Sequence, residues 1–217
     1  PCLFISLEMS TSQVMNNLLS IYTEIDCFNL RQGDITEEER RTLITDTGII
    51  ANTPFFVDAP GAMSLPEIRS KARKMVSTHG IKYIIIDYLQ LMEPRNPQAS
   101  PVQRVTEISR ALKILARELN IPVLALSQLS RAVEQRTPQR PRLSDLRESG
   151  SLEQDADVVM FIYREDRYRL DPTNEGIAEI IIAKHRNGPV GSVKLFFDEK
   201  TASFSDLEKG MEPEPQA

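Results

Sequence analysis

The stretches LFISLE (residues 3–8), YIIID (residues 83–87) and VLALSQ (residues 123–128) each carry an apolar run into a polar residue. Continuous apolar runs of this kind are typical of strands buried on both faces, as in a parallel sheet covered by helices. Ligands of such folds collect at the carboxyl ends of the strands. The sequence therefore predicts that two acids and one amide meet at a single crevice suited to nucleotide and metal chemistry: Glu8, Asp87 and Gln128.

Composition places the chain among globular α/β proteins. It has 217 residues, of which 41% are hydrophobic and 26% charged, so it can bury a full core. No run approaches the roughly eighteen apolar residues of a membrane span, and no stretch has the pattern of a signal peptide. We therefore expect a cytoplasmic protein with no membrane partner. Cys2 and Cys27 are too few for a disulfide framework and are interpreted as plain thiols.

Helix signals lie between the predicted strands. Capping boxes predict helix starts at Ser10 with Gln13, Thr36 with Glu39 and Ser64 with Glu67. The third of these helices should end at Gly80, and the segment PFFVD should form a short strand. Apolar residues at three-and-four spacing predict a further helix over residues 102–119, with a stripe facing the core.

The C-terminal end is rich in strand patterns. From Asp157 onwards DVVMFIYR, GIAEIIIAKHR and SVKLFF are separated by turn signals and predict a β-meander that extends the sheet. The fold class is therefore α/β: a parallel sheet flanked by helices, with an antiparallel β extension at the C-terminal end. We predict one domain over residues 1–205 and a disordered acidic tail over residues 206–217.

The two strand-end acids invite different roles. Asp87 closes a strand of buried isoleucines, where a carboxylate is costly without a cation, and Mg²⁺ held with substrate phosphates is a common solution. The alternative is a helix cap or turn former. Glu8 could orient an attacking water beside a terminal phosphate. Its alternative is an N-cap or a salt-bridge partner.

Gln128 and the stretch after it suggest a link between nucleotide and nucleic acid. The Gln128 amide could bond a γ-phosphate, and a polar residue opening a helix is the alternative. The chain has a net charge of −5, yet residues 130–147 hold five arginines and two acids, a local charge of +3. Such a loop is either a nucleic-acid footprint or a solvated surface.

The segment IIAKHRNGP places two cations together. Residues two apart in a strand share a face, so Lys184 and Arg186 project to one side and His185 to the other. Two cations at a strand end can clamp phosphate oxygens, and guanidinium supplies a fixed fork for this task. An ordinary surface strand end is the alternative.

In combination and order, these strings resemble a known family. SLEMS, IIIDYLQLM, LALSQLSRAVEQR, SDLRESGSLEQDADVVM and IIAKHRNGP are similar to the ATPase domain of the bacterial replicative DNA helicases, the DnaB family. The resemblance runs from Cys2 to about Phe204, and RESGSLEQDAD is its most specific part. It implies a RecA-like fold and a ring of six subunits around single-stranded DNA, with ATP and Mg²⁺ between adjacent subunits. It also implies a primosome setting, with primase and a helicase loader as partners.

Five residues of the resemblance relate to ATP. Glu8 resembles the glutamate that activates the attacking water, Asp87 the acid that holds Mg²⁺ through water, and Gln128 the γ-phosphate sensor. Lys184 and Arg186 resemble the pair that reaches into the neighbouring subunit's ATP site. An arginine supplied in this way can accelerate hydrolysis by roughly 10³ to 10⁵.

Three further residues relate to DNA. Arg147, Glu148 and Gly150 match the family's central loop, which contacts the sugar-phosphate backbone. Because phosphates carry no base information, such a loop suits translocation that ignores sequence.

The chain departs from the family pattern in one respect. It contains no G-x-x-x-x-G-K-[ST] phosphate loop, and it opens at Pro1 inside an apolar strand. We expect a segment that starts after that loop: part of an ATP-hydrolysing DNA helicase, with the segment itself inactive. The alternatives are a recombination or repair ATPase of the RecA or RadA type and a non-catalytic module for assembly or single-strand binding.

Overall fold

The computed structural model of the protein describes residues 1–94, 96–169 and 174–207, and for residues 147–150 it gives the backbone without side chains. Within these ranges the chain forms the strands β1 (Cys2–Ser6), β2 (Phe55–Asp58), β3 (Tyr83–Asp87), β4 (Val123–Ala125), β5 (Val158–Tyr163), β6 (Ile177–His185), β7 (Gly191–Asp198) and β8 (Ser203–Asp206). Its α-helices are α1 (Thr11–Thr23), α2 (Cys27–Gln32), α3 (Glu37–Asn52), α4 (Leu65–His79), α5 (Pro101–Leu119) and α6 (Gly150–Asp155).

The first four strands form the predicted parallel sheet, in the order β2-β1-β3-β4. Ser6 of β1 lies opposite Asp87 of β3, and Ile86 of β3 lies opposite Ala125 of β4. Because parallel strands run in the same direction, their carboxyl ends meet at the same edge of the sheet. The three polar residues that follow these strands are therefore brought to one edge.

The helices begin where the capping signals predict. Ser10 and Thr36 each accept a hydrogen bond from the backbone three residues on, and Gln13 and Glu39 return it. The Ser64 N–H donates to the Glu67 carboxylate at 2.8 Å. Helix α5 begins one residue earlier than predicted, at a proline, whose fixed φ suits the first helical position. The short helix α2 was not predicted; Asp26 caps it by accepting from the Phe28 N–H at 2.7 Å.

One face of the parallel sheet carries the main core. Helices α4 and α5 pack there over strand residues that are at most 1% exposed: Leu3, Ile5, Ile84 and Ile86. The residues between them in sequence, Phe4 and Ile85, are only partly buried. The prediction of burial on both faces is therefore met fully on one face, because the described helices cover the other less completely.

The C-terminal meander is confirmed as an antiparallel arrangement with the order β5-β6-β7-β8. Among the described residues its strands bond only to one another, so they form a second sheet and do not extend the first. Strand β8 was not predicted, since a four-residue SFSD segment has little hydrophobic signal. Both β4 and β5 are edge strands of their sheets.

Helices α5 and α6 connect the two sheets. Leu152 of α6 packs against the core of the parallel sheet and also against a smaller cluster under β5 that contains Val159 and Phe161. The Ser109 hydroxyl of α5 donates to the Asp155 carboxylate at 2.8 Å. In the described part of the chain, no helix has the length and apolar character needed to cross a membrane.

Candidate functional site

Glu8 and Asp87 lie side by side at the carboxyl edge of the parallel sheet. The Leu7 N–H donates to the Asp87 carbonyl at 2.7 Å, and Glu8 follows directly. Burial raises the pKa of the Asp87 carboxyl above its ordinary value, and the negative charge of Glu8 raises it further. Asp87 is half-buried and Glu8 is exposed. The charge of Glu8 therefore disfavours the ionised form of Asp87.

This pair fits a divalent cation. Neither carboxylate forms an ion pair with any residue that the structure describes, so no protein cation offsets their charge. Residues 1–94, 96–169 and 174–207 hold no group of three or more acids, histidines or cysteines placed for a metal. Mg²⁺ does not require one, because it is commonly bound through one or two carboxylates, water and substrate phosphates.

Gln128 is held at the same edge by a residue that sequence reasoning missed. The Gln90 Nε2 donates to the Ser127 hydroxyl at 2.9 Å and to the Gln128 carbonyl at 3.3 Å, and the Gln90 Oε1 accepts from the Gln128 N–H at 3.3 Å. Gln90 lies in the 3₁₀ segment Leu89–Leu91, three residues after Asp87. Its place inside the string IIIDYLQLM was the signal available in the sequence.

A small cavity of about 110 Å³ lies beneath the two glutamines and is also lined by Asp145 and Ser130. A larger cleft of about 880 Å³ lies between α4 and α5, where Arg69, Glu107 and other helix residues line it. None of the predicted site residues lines the larger cleft. The chemistry of the strand ends, and not cavity size, therefore marks the candidate site.

Lys184 and Arg186 do project together, and the structure brings both to the carboxyl end of α6. The Lys184 ammonium donates to the Glu153 carbonyl and, at 3.4 Å, to the Gln154 carbonyl. The Arg186 guanidinium also donates to the Gln154 carbonyl. Within the described residues neither cation bonds to the acids or the amide of the parallel sheet.

Two arginines of the stretch 130–147 form ion pairs within the protein. Arg136 makes a two-pronged ion pair with Asp145, at 2.9 and 2.8 Å, and this carboxylate is only 5% exposed. Arg140 pairs with Glu179 of β6, which is also buried. Two of the five arginines of this stretch therefore neutralise buried acids of the protein itself, which reduces the charge available to a nucleic acid.

The predicted DNA loop is only partly visible. The side chains of Arg147 and Glu148 lie outside the described residues, and Gly150 is described only by its backbone. The backbone runs as a 3₁₀ segment, Leu143–Ser149, that leads directly into α6. The loop is thus continuous with the helix whose other end binds Lys184 and Arg186.

The parallel sheet with its flanking helices and the antiparallel C-terminal sheet together form a RecA-like fold. The solved structure of the RadB recombinase superposes with a TM-score of 0.51 over 95% of this chain and 79% of that chain, and at 14% identity it shows the fold alone. A DnaB-like replicative helicase, solved in a study of its interactions with primase, superposes with a TM-score of 0.90 at 41% identity, over 95% of this chain and 50% of that chain. A separately solved ATPase domain gives the same score and identity over 95% of this chain and 74% of that chain.

Sequence comparison identifies the family within this class. The family model described as the DnaB-like helicase C terminal domain matches residues 1–206, and the chain belongs to that family. The replicative DNA helicase DnaB of Rickettsia typhi is 47% identical over 223 residues, which cover 95% of this chain and 45% of the relative. The chain thus spans less than half the length of this relative.

The raised pKa of Asp87 makes a prediction about stability. Between the ordinary value of 3.8 and the raised value, the folded chain holds a proton that the unfolded chain has lost, so the free energy of unfolding falls as pH rises through this window. Asp87→Asn should therefore stabilise the 217-residue chain at pH 7, by at most about 1 kcal/mol after solvent screening. Urea unfolding at pH 7 and pH 3 measures the difference, which should disappear at the lower pH. The exposed Asp34→Asn is the control, and equal effects of both changes would contradict the account.

A second prediction concerns the buried pair of Arg136 and Asp145. The bonds from Arg136 lower the pKa of Asp145, so its contribution is present above pH 3.8 and is lost as pH falls through the lowered pKa. Asp145→Asn should cost about 2–4 kcal/mol at pH 7, because it leaves a partly buried guanidinium without its charge partner. Glu199→Gln is the matched control, since Glu199 pairs with Arg164 but is 57% exposed, and it should cost less than about 1 kcal/mol. Similar losses in both variants, measured by urea unfolding, would refute the assignment.

Proposed function

We propose that this chain is part of a ring-shaped, ATP-dependent replicative DNA helicase that translocates on single-stranded DNA and unwinds duplex at the replication fork. The observation that carries the proposal is the meeting of Glu8, Asp87 and Gln128 at one edge of a parallel sheet, in a chain that belongs to the DnaB-like helicase family. Subunits would act as a homo-hexamer. Primase and a helicase loader are the further partners that the family relationship favours.

Each edge residue has a task that its surroundings support. Asp87 would hold Mg²⁺, through water, since its carboxylate is near Glu8 and has no described cationic partner. Mg²⁺ would supply charge neutralisation on the β- and γ-phosphates. Glu8 is exposed and would orient the attacking water, and Gln128 would bond the γ-phosphate. Gln90 would keep the backbone of Gln128 in place while its side chain responds to the nucleotide.

Lys184 and Arg186 would act on the ATP of the neighbouring subunit. Lys184 lies in β6 of the second sheet and Arg186 directly follows it, and their described contacts are to α6 and to Asp157 rather than to Glu8 or Asp87. Because neither cation contacts Glu8 or Asp87 of its own chain in the described structure, each would be available to contact ATP bound by the neighbouring subunit. Hydrolysis would then depend on assembly, and the Arg147 loop would contact the DNA backbone in the centre of the ring.

A phosphate loop has to come from residues outside these 217, which contain none. The unpaired edges of β4 and β5 also indicate that a further strand pairs with them. The edges of β4 and β5 are unpaired in the described structure, and β5 exposes an apolar row of Val158, Met160 and Ile162 at 39 to 61%. Unpaired edges with apolar side chains favour the addition of a strand. We propose that the strand leading into the phosphate loop pairs with these edges.

The test uses two proteins. The 217-residue chain should hydrolyse ATP at a rate close to background, because the amide cradle and lysine for the β- and γ-phosphates are missing. A chimaera that joins the N-terminal part of the Rickettsia typhi relative ahead of Pro1 should show hydrolysis stimulated by single-stranded DNA. In that chimaera Glu8→Gln should retain ATP binding and lose about 10² or more in turnover.

Three results would overturn this proposal: robust turnover by the 217-residue chain, an inactive wild-type chimaera, or a Glu8→Gln variant with full activity. The non-catalytic alternative makes a different forecast. A pure assembly module would exchange into rings of the intact relative without changing hydrolysis per site, whereas a helicase segment lacking its phosphate loop should reduce ring activity in proportion to its incorporation.

The DNA loop gives a separate prediction. Arg147→Ala in the chimaera should weaken single-strand binding at every sequence and reduce the slope of log affinity against log salt by about 0.7. Arg40→Ala is the control, because Arg40 is an exposed arginine on α3. Binding isotherms on three unrelated oligonucleotides at four salt concentrations decide the matter. A loss confined to one oligonucleotide would contradict backbone recognition.

A further inference from the structure

Asp157 lies between α6, the helix that follows the predicted DNA loop, and the segment that carries Lys184 and Arg186. It lies two residues beyond the end of α6 and immediately before β5. Its carbonyl accepts the backbone N–H of Arg186 at 2.9 Å, and its carboxylate oxygen lies 3.6 Å from the Arg186 Nε. The other carboxylate oxygen accepts from Lys113 of α5. One residue thus contacts Arg186 through both backbone and side chain.

The Arg186 side chain is therefore held by contacts within its own chain. Its guanidinium is fixed on one side by the Asp157 carboxylate and on the other by the Gln154 carbonyl at the end of α6. Lys184 reinforces the same contact by donating to the Glu153 and Gln154 carbonyls. Cations bound to the last carbonyls of a helix are favoured because those groups have no partner within the helix.

The partners of the Asp157 carboxylate are both cations. Its pKa is lowered first by the hydrogen bond from Lys113 and further by the charges of Arg186 and Lys184, so it is ionised at neutral pH. The side chain is 55% exposed, which makes the ion pairs weak contributors to stability. An exposed acid that contacts Lys113 and Arg186 contributes more to the orientation of these side chains than to the stability of the fold.

We propose that Asp157, together with the carbonyl end of α6, positions Arg186 for its action on the neighbouring subunit's ATP and ties that arginine to the loop that contacts DNA. The proposal rests on the proposed function. The connection is physical, since the loop backbone continues as α6 and α6 ends where Lys184 and Arg186 bind. A displacement of the loop by DNA moves the carbonyls to which the arginine is bonded. Asp157 would act through Arg186 and is therefore a positioning residue.

The first test measures the tether in the 217-residue chain, without reference to activity. Asp157→Asn and Arg186→Gln should each speed amide hydrogen exchange in residues 150–156 by about tenfold, because α6 loses part of the support at its carboxyl end. Lys113→Gln removes only the contact to α5 and should leave this exchange within about twofold of wild type. Unchanged exchange in Asp157→Asn, or equal acceleration in Lys113→Gln, would overturn the tether.

The second test separates an effect on the chemical step from an effect on ATP binding. In the chimaera, Asp157→Asn should lower the DNA-stimulated kcat by about tenfold while KM for ATP changes by less than about twofold. Asp157→Glu, which keeps the charge, should recover most of the rate. Equal losses in kcat and in ATP binding, or no recovery by Asp157→Glu, would contradict positioning by charge.

Mixed rings complete the test. Asp157→Asn subunits mixed in equal amounts with Glu8→Gln subunits should regain hydrolysis. An interface recovers when the Asp157→Asn subunit supplies Glu8 and its neighbour, the Glu8→Gln subunit, supplies Asp157, which happens at about a quarter of randomly formed interfaces. Mixtures of Glu8→Gln with Asp87→Asn, or of Asp157→Asn with Arg186→Ala, should show no recovery above the rates of the separate variants, because both members fail in the same half of the site. Recovery in the wrong pair refutes the inference. An inactive wild-type chimaera refutes the proposed function instead, and the exchange experiment then still decides whether Asp157 holds Arg186.

Discussion

The parallel pairing of β1, β3 and β4 is the constraint on which the candidate site depends. Ser6 is opposite Asp87 and Ile86 is opposite Ala125, so the strands end together. A shift of one residue in either pairing would turn every side chain of that strand to the other face and bury a carboxylate in the core. The register is stable because Ile5, Ile84 and Ile86 are fully buried under α4 and α5. The position of the acids is thus a consequence of how the isoleucines pack.

The acids of this chain differ in whether a protein cation neutralises them. Two buried acids, Asp145 and Glu179, are at most 9% exposed, and each pairs with an arginine. Asp87 and Glu8 have no such described partner, and burial raises the pKa of Asp87 instead of a cation lowering it. A carboxylate kept without a protein cation reduces the stability of the folded chain, and it leaves the position open for a metal ion and phosphates. Under the proposed function, the acids without a described cation serve the nucleotide, and the buried, paired acids serve the fold.

Local sequence signals predicted most of the fold. The capping boxes at Ser10, Thr36 and Ser64 set helix starts because their bonds span only three residues, and the apolar runs marked the strands. The sequence was less informative where an outcome depends on distant partners. The antiparallel meander was predicted, but which sheet edges pair is not recorded in the sequence of β4 or β5. Arg136 and Arg140 look like surface charges in sequence, and only the fold places buried acids beside them.

The same limit explains why Asp157 was missed while Arg186 was not. The two cations of the K-x-R pattern are recognisable in sequence because they lie two residues apart and share a face. The partners of Asp157 are distant in sequence: Lys113 lies 44 residues before it in α5, and Arg186 follows the end of β6. Short helices such as α6 have little stability of their own, so their ends are held by tertiary contacts. Here those contacts are cations that the family relationship relates to ATP. A helix held by such cations responds to whatever competes for them, and a phosphate group is the strongest competitor available to a guanidinium.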